Sequence, residues 1–156
     1  MNKKYLVLSL VLILLISVFT GCSAKPEEKE GDAAVQYQYM KAEDLKTAIS
    51  ENKGDYVVFD VRKKADYDTE HIKGAISADV DSIVSNNDNG PAKENIEKAL
   101  SETDVKGKKI VLLCYSGKRY AEAATGLLKD AGIEASSIYT LEGGYKGWTY
   151  TDLLEK

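Results

Sequence analysis

Cysteine and histidine are nearly absent from this chain, at 2 and 1 in 156 residues. A structural zinc site usually takes four such ligands, so no Cys/His metal centre is expected. Basic residues are in deficit, with 21 Lys and Arg against 25 Asp and Glu, a net charge of −4 and a pI near 5.1. A nucleic-acid binder normally presents a basic face to phosphates, so that class is excluded. Proline is scarce at 2 residues, and no internal repeat is visible. What is present is a globular composition, 44% hydrophobic and 29% charged. The length suits one domain, and chains near this size bury roughly 68–70% of the surface their unfolded form exposes.

The first 22 residues read as an address. Lys3 and Lys4 form a basic start, and Leu6 to Phe19 is apolar apart from Ser9 and Ser17. Spanning a bilayer takes about 20 apolar residues, so the run is short for a permanent helix. It ends in Phe19-Thr20-Gly21-Cys22, where small residues let a signal peptidase approach the backbone. This ending resembles the bacterial lipobox, with Phe19 in place of the usual Leu. The resemblance implies lipid, palmitate included, on Cys22 as the mature N-terminus, and an extracytoplasmic domain anchored to the cell membrane. Plain secretion or an uncleaved signal anchor are the other readings. Cleavage would remove Lys3 and Lys4 and make the chain more acidic. Lipidation of Cys22 would leave Cys114 as the only thiol, and an unpaired cysteine outside the cytoplasm calls for an explanation. Residues 23–35 are polar, with Pro26 and Gly31 and no apolar periodicity, and are expected to form a flexible tether.

The folded domain is expected over 36–156. Leu45, Ala48 and Ile49 at helical spacing predict a helix over 42–52, with Gly54 after it. Tyr56–Val61 (YVVFDV) is a short β-branched and aromatic run, hence a buried strand. Residues 75–78 suit another short strand. The turn residues of 86–91 predict a loop before a helix over 93–100. Lys109–Cys114 (KIVLLC) is the clearest buried strand, with Cys114 as its last residue. A helix follows over 117–130, with Ala121, Ala124, Leu127, Leu128 and Ala131 on or near one face and Gly132 as its stop. A strand over 137–141 and, after Gly143-Gly144, a C-terminal helix complete the pattern. Strands that alternate with helices and are apolar throughout imply an α/β fold, a mainly parallel central sheet covered by helices on both faces. Such sheets place ligands at the carboxyl ends of their strands, where Cys114 stands.

Cys114-Tyr115-Ser116-Gly117-Lys118-Arg119 is a strand end, a tight turn and a helix start. Successive N–H groups in such a turn converge into an anion-binding nest. The helix N-terminus adds about half a positive charge, and Lys118 and Arg119 add two more. Each favours thiolate over thiol, and the same cradle suits a persulfide anion. A lone cysteine at a strand end is otherwise a small buried hydrophobe; the turn, the glycine and the cations argue against that here.

Four ordered segments now resemble the rhodanese-like family over nearly the whole domain. Asp60-Val61-Arg62 is similar to its strand ending in Asp-x-Arg, and His71-Ile72-Lys73-Gly74-Ala75 to its His-Ile-x-Gly-Ala turn. Cys114–Arg119 resembles its C-x-x-G-x-R loop. Leu141-Glu142-Gly143-Gly144 followed by Trp148 resembles its Gly-Gly-x-x-x-Trp element. The resemblance implies a sulfurtransferase without a cofactor. Cys114 would take sulfane sulfur from a small anionic donor such as thiosulfate, become a persulfide, and pass the sulfur to cyanide, a thiol or a protein acceptor in ping-pong fashion. Backbone N–H groups over Tyr115, Ser116, Gly117, Lys118, Arg119 and Tyr120 would hold the persulfide. The planar fork of Arg119 suits loop geometry and oxyanions, and Lys118 is either field at the entrance or a solvated lysine. Asp60 and Arg62 contact the loop or, the favoured reading, brace each other. His71 is expected to be structural and Trp148 core. Glu70, Lys73 and Tyr120 depart from common Gly, Pro and Ser; Tyr120 bears on substrate preference.

Phosphatases and arsenate reductases also set a cysteine and an arginine around an anion nest. Their loops resemble C-x-x-x-x-x-R, one residue longer, because a tetrahedral oxyanion needs a wider ring. Four residues separate Cys114 from Arg119, which argues for sulfur. Sortase-like transpeptidases resemble β-barrels and do not fit. The rival of another class is a sulfur-carrier or binding module with little turnover.

Overall fold

The computed structural model describes residues 37–156. The signal segment 1–22 with Cys22, the tether 23–35 and residue 36 lie outside the described residues. No helix among the described residues is long and apolar enough to cross a membrane.

In chain order the elements are β1 (Gln38–Met40), α1 (Ala42–Ser50), β2 (Tyr56–Asp60), α2 (Lys64–Thr69), β3 (His71–Ile72), β4 (Ile76–Ser77), α3 (Asp81–Asn86), α4 (Asn89–Glu102), β5 (Lys109–Leu113), α5 (Arg119–Asp130), β6 (Ile138–Leu141) and β7 (Leu154–Glu155). Five strands form one sheet in the order β1-β6-β5-β2-β4, every neighbouring pair parallel. β3 and β7 pair antiparallel in a separate ribbon. The apolar runs of β2 and β5 lie side by side, Val57 opposite Ile110 and Phe59 opposite Leu112.

Side chains alternate across a strand, and here both faces are apolar. Val57, Phe59, Ile110 and Leu112 face a core closed by Ala92, Ile96 and Ala99 of α4 and Ala124, Leu127 and Leu128 of α5. Val58, Val111, Leu113 and Leu141 face the opposite core, closed by Leu45 of α1 with Ile72 and Trp148. This is the α/β fold expected, with helices on both faces.

Local differences from the sequence reading have local causes. Asn89, Gly90 and Pro91 read as loop, yet they open α4: the Asp88 side chain accepts from Gly90 N–H at 3.0 Å, and proline is tolerated in a first turn, where no intrahelical N–H bond is lost. α5 starts at Arg119 rather than 117, because Gly117 sits at φ +76° in the preceding loop. Gly132 stops α5 as expected; Gly132 N–H reaches Lys129 O and Ile133 N–H reaches Leu128 O, both at 2.9 Å, a Schellman end. No C-terminal α-helix forms. Gly143 and Gly144 both have positive φ, and the chain continues through short 3₁₀ turns into β7.

Candidate active site

Cys114 is the residue just beyond β5 rather than its last one. Its position is nonetheless set by the sheet. Val61 N–H donates to Leu113 O at 2.8 Å, Tyr145 N–H to Cys114 O at 2.7 Å and Lys146 N–H to Tyr115 O at 3.1 Å. The carbonyls of Leu113, Cys114 and Tyr115 are therefore held by the residue after β2 and by the Tyr145–Gly147 turn. Cys114 is 1% exposed, and Gly117 N–H donates to Sγ at 3.1 Å. A backbone N–H aimed at sulfur is the first member of an anion cradle.

Two glycine backbones make this loop possible. A Cβ on Gly144 would stand 2.4 Å from Cys114 O and 2.7 Å from both Ser116 N and Gly117 N. A Cβ on Gly117 would stand 2.9 Å from Leu141 O. The Gly-Gly element is thus the floor on which the cysteine loop lies.

Asp60 and Arg62 brace each other. Arg62 Nη2 lies 2.6 Å from Asp60 Oδ2, with Asp60 fully buried. Burial works against the Arg62 charge, and the Asp60 hydrogen bond and charge outweigh it, so its pKa is raised. Arg62 also donates to Glu70 O at 2.8 Å and lies 3.8 Å over the Tyr145 ring. Tyr145 donates its N–H to Cys114 O, so the brace reaches the cysteine through one residue.

The loop side chains divide. The Tyr115 hydroxyl donates to Asp66 and accepts from Lys63 N–H at 3.3 Å. Tyr120 donates to Asp81 Oδ1 at 2.6 Å, and its ring meets Tyr115 edge-on with centroids 5.1 Å apart. Ser116, Lys118 and Arg119 are exposed. Arg119 Nη2 donates to Val84 O at 3.4 Å, at the edge of an open cleft of about 640 Å³ shared with Asn86, Asn87 and Glu122. Its guanidinium is turned to α3 in this arrangement. Tyr120 is pushed up to about 12 by burial and then by its bond to Asp81; Tyr145 is pushed up to about 12 by burial and its bond to Glu70. Burial and Asp66 likewise raise Tyr115, while the Tyr120 hydroxyl holds Asp81 below the usual carboxylate range.

His71 stacks on Tyr67 with centroids 3.9 Å apart, its Nδ1 lies 2.9 Å from Tyr67 O, and Nε2 lies 3.6 Å from Glu155. It belongs to the β3–β7 ribbon, the structural place expected of it. Trp148 is 7% exposed in the α1-side core. Sequence reasoning missed Asp66, Glu70, Tyr145 and Asp81 as neighbours of the loop. Tyr145 carried a signal, directly after Gly-Gly; Glu70 stood out only as a departure from the common Gly, and Asp66 and Asp81 carried none among 25 acidic residues. No His/Cys/Asp/Glu group among the described residues is arranged to hold a metal ion.

The fold has solved counterparts. A protein from Lactobacillus plantarum superposes with a TM-score of 0.54 at 23% identity, covering 100% of both chains. The rhodanese-like domain of the Alr3790 protein from Anabaena sp gives 0.56 at 23% identity over 75% of this chain and 77% of that one. The As-Sb reductase from Leishmania major gives 0.52 at 20% identity over 76% and 84%. No curated protein matches. The rhodanese-like domain model matches residues 41–151, from the start of α1 past the Gly-Gly floor and through every strand that holds Cys114 in place, and the chain belongs to that family.

Proposed function

We propose that the protein is a sulfurtransferase that moves sulfane sulfur through a persulfide on Cys114. The observation that carries this is the Gly117 N–H on Cys114 Sγ, within a loop whose glycine floor admits no side chain. In the first half-reaction the Cys114 thiolate attacks the outer sulfur of thiosulfate. An Sγ–S bond forms, the donor S–S bond breaks, and sulfite leaves with the electron pair. In the second, cyanide or a thiolate attacks the outer sulfur, and Cys114 returns as thiolate. No net oxidant or metal is needed. Backbone N–H groups of the loop stabilise the terminal sulfur anion at no reorganisation cost.

The test uses the reduced full chain and thiosulfate, with Cys114→Ser beside it. A gain of one sulfur atom in intact mass, absent in Cys114→Ser and reversed by cyanide, supports the reading. Failure with thiosulfate and other sulfane donors, in folded protein with a free thiol, moves the binding-module reading ahead. One-time loading with handover only to a particular protein marks a carrier; steady turnover with small acceptors marks an enzyme. The fold shared with the As-Sb reductase makes arsenate reduction a fair control substrate, and the four-residue Cys114–Arg119 spacing argues against it. In the same reading the domain is tethered outside the cytoplasm by lipid on Cys22. Palmitate labelling lost in Cys22→Ser supports that placement, and retention of label rejects it.

A further inference from the structure

Tyr115 and Tyr120 stand together beside the Cys114 loop, and neither hydroxyl is free for a substrate. Tyr115 is tied to Asp66 and to Lys63 N–H. Tyr120 is tied to Asp81, which also accepts from Ser85 Oγ at 2.7 Å and lies 3.6 Å from Lys63 Nζ. Asp79 closes the circuit: its carboxylate accepts from Lys64 N–H at 2.9 Å and from Asp81 N–H at 2.7 Å. The two rings meet edge to face above this frame. The result is a ring of bonds through the segment after β2, the segment after β4, and the loop that bears the sulfur.

We propose that Asp66 and Asp81 are positioning residues, holding Tyr115 and Tyr120 so that the Cys114 loop keeps its anion-binding shape. Neither carboxylate bonds to Cys114; each acts through a tyrosine. The tyrosine side chains then act as struts, beside the persulfide-holding role expected of the loop's backbone N–H groups. Two anchors from different segments matter because the loop has few others on this side. Its backbone is held from the opposite side by Tyr145 and Lys146, and Ser116, Lys118 and Arg119 are exposed. Releasing one strut leaves this side of the loop on the other strut alone.

The consequence is a pair of effects of opposite sign. A looser loop exposes the thiol of a residue that is buried in the intact site, so alkylation of Cys114 rises. The same looseness misaligns the N–H groups, so sulfur loading slows; small misplacements of this kind cost on the order of tenfold to a hundredfold. A carboxamide oxygen still accepts from a phenol, so Asp66→Asn and Asp81→Asn should recover most of what Asp66→Ala and Asp81→Ala lose.

The experiment measures iodoacetamide labelling at the Cys114 peptide, and thiosulfate loading, in the full chain and these four variants, with Ile96→Val, in the core that also holds Cys114, as a control for general loosening. Alkylation faster by roughly tenfold in both Ala variants, near parental in the Asn variants and in Ile96→Val, with loading slowed in the Ala variants, establishes the positioning role. Unchanged alkylation in either Ala variant, or Asn variants no better than Ala, overturns it. The loading arm rests on Cys114 as the sulfur carrier, whereas alkylation needs no sulfur transfer. Should the parental chain fail to load, the sulfurtransferase reading falls and alkylation alone decides.

Discussion

At Gly144 a single hydrogen atom separates a working loop from a collision. The residue has φ +58° and ψ −153°, a backbone region that is essentially glycine's alone and costs another residue about 1–3 kcal/mol. An added methyl would also press on three backbone atoms of the Cys114 loop, the nearest at 2.4 Å, and overpacking against immobile groups costs typically 1–3 kcal/mol. Gly144→Ala should therefore lose about 3 kcal/mol in urea unfolding and form no persulfide even where it remains folded. Gly126, inside α5 with nothing within 4 Å of its would-be Cβ, is the contrasting case: Gly126→Ala should stabilise by up to about 1 kcal/mol through helix propensity. The buried brace gives a third outcome at this scale. Asp60→Ala leaves Arg62, 3% exposed, without its partner; removing one member of a buried pair costs about 3–5 kcal/mol. A urea midpoint unchanged within error would show that solvent reaches Arg62.

At the scale of elements, the Tyr120–Asp81 bond joins α5 to α3, and its protonation chemistry works in two pH windows. Asp81 is lowered in the folded state, first by the Tyr120 hydroxyl. Its contribution is present above the unfolded carboxylate pKa and is lost as pH falls through the folded value. Tyr120 is raised to about 12. Its contribution is whole below the unfolded phenol pKa near 10 and is lost as pH rises from there towards 12. Tyr120→Phe should flatten both slopes in stability measured against pH, and leave the neutral region lower by a small, salt-insensitive step. The elements also show why the chain was only partly legible. Long apolar runs such as KIVLL and YVVFD declared themselves as strands, and α5 declared itself through its apolar stripe and Gly132. The strands β1, β3 and β7 did not. They run two or three residues, too short for alternation to register, and their pairing depends on distant partners, 84 positions apart for His71 with Glu155 and 101 for Gln38 with Tyr139. α2 has no buried residue, so it left no apolar stripe to read. The site was legible where backbone needs dictated residue type, at Cys114, Gly117, Gly143 and Gly144. It was silent at Asp66 and Asp81, where any acceptor of the right reach would serve and only the fold says which one does.

The molecule as a whole closes its second core with its last residues. On the α1 side, Leu45, Ile72, Leu141 and Trp148 are buried, with Leu153 and Leu154 packed against them. β7 adds backbone bonds to β3, Lys73 N–H reaches Leu153 O at 2.9 Å, and Gly74 N–H reaches Glu155 Oε1 at 2.7 Å. The other core, under α4 and α5, contains Cys114 and none of these groups. A chain ending at Asp152 would lose two partly buried leucines, the ribbon bonds and the Glu155 contacts. A fully buried leucine is worth about 1.5–3 kcal/mol, and these two are partly buried, so the loss should be about 3 kcal/mol. That is a large share of the 5–15 kcal/mol typical of a domain, and urea unfolding would read it directly. The cysteine loop is held by β2, β5 and the Tyr145–Gly147 turn, so Cys114 alkylation in the truncated chain, measured well below its midpoint, should stay within about twofold of the parent because local opening and global unfolding are separate events. A truncated chain whose thiol becomes freely reactive while its helices persist would show instead that the ribbon and the active loop open as one unit, through Glu70, which stands between the Arg62 brace and β3.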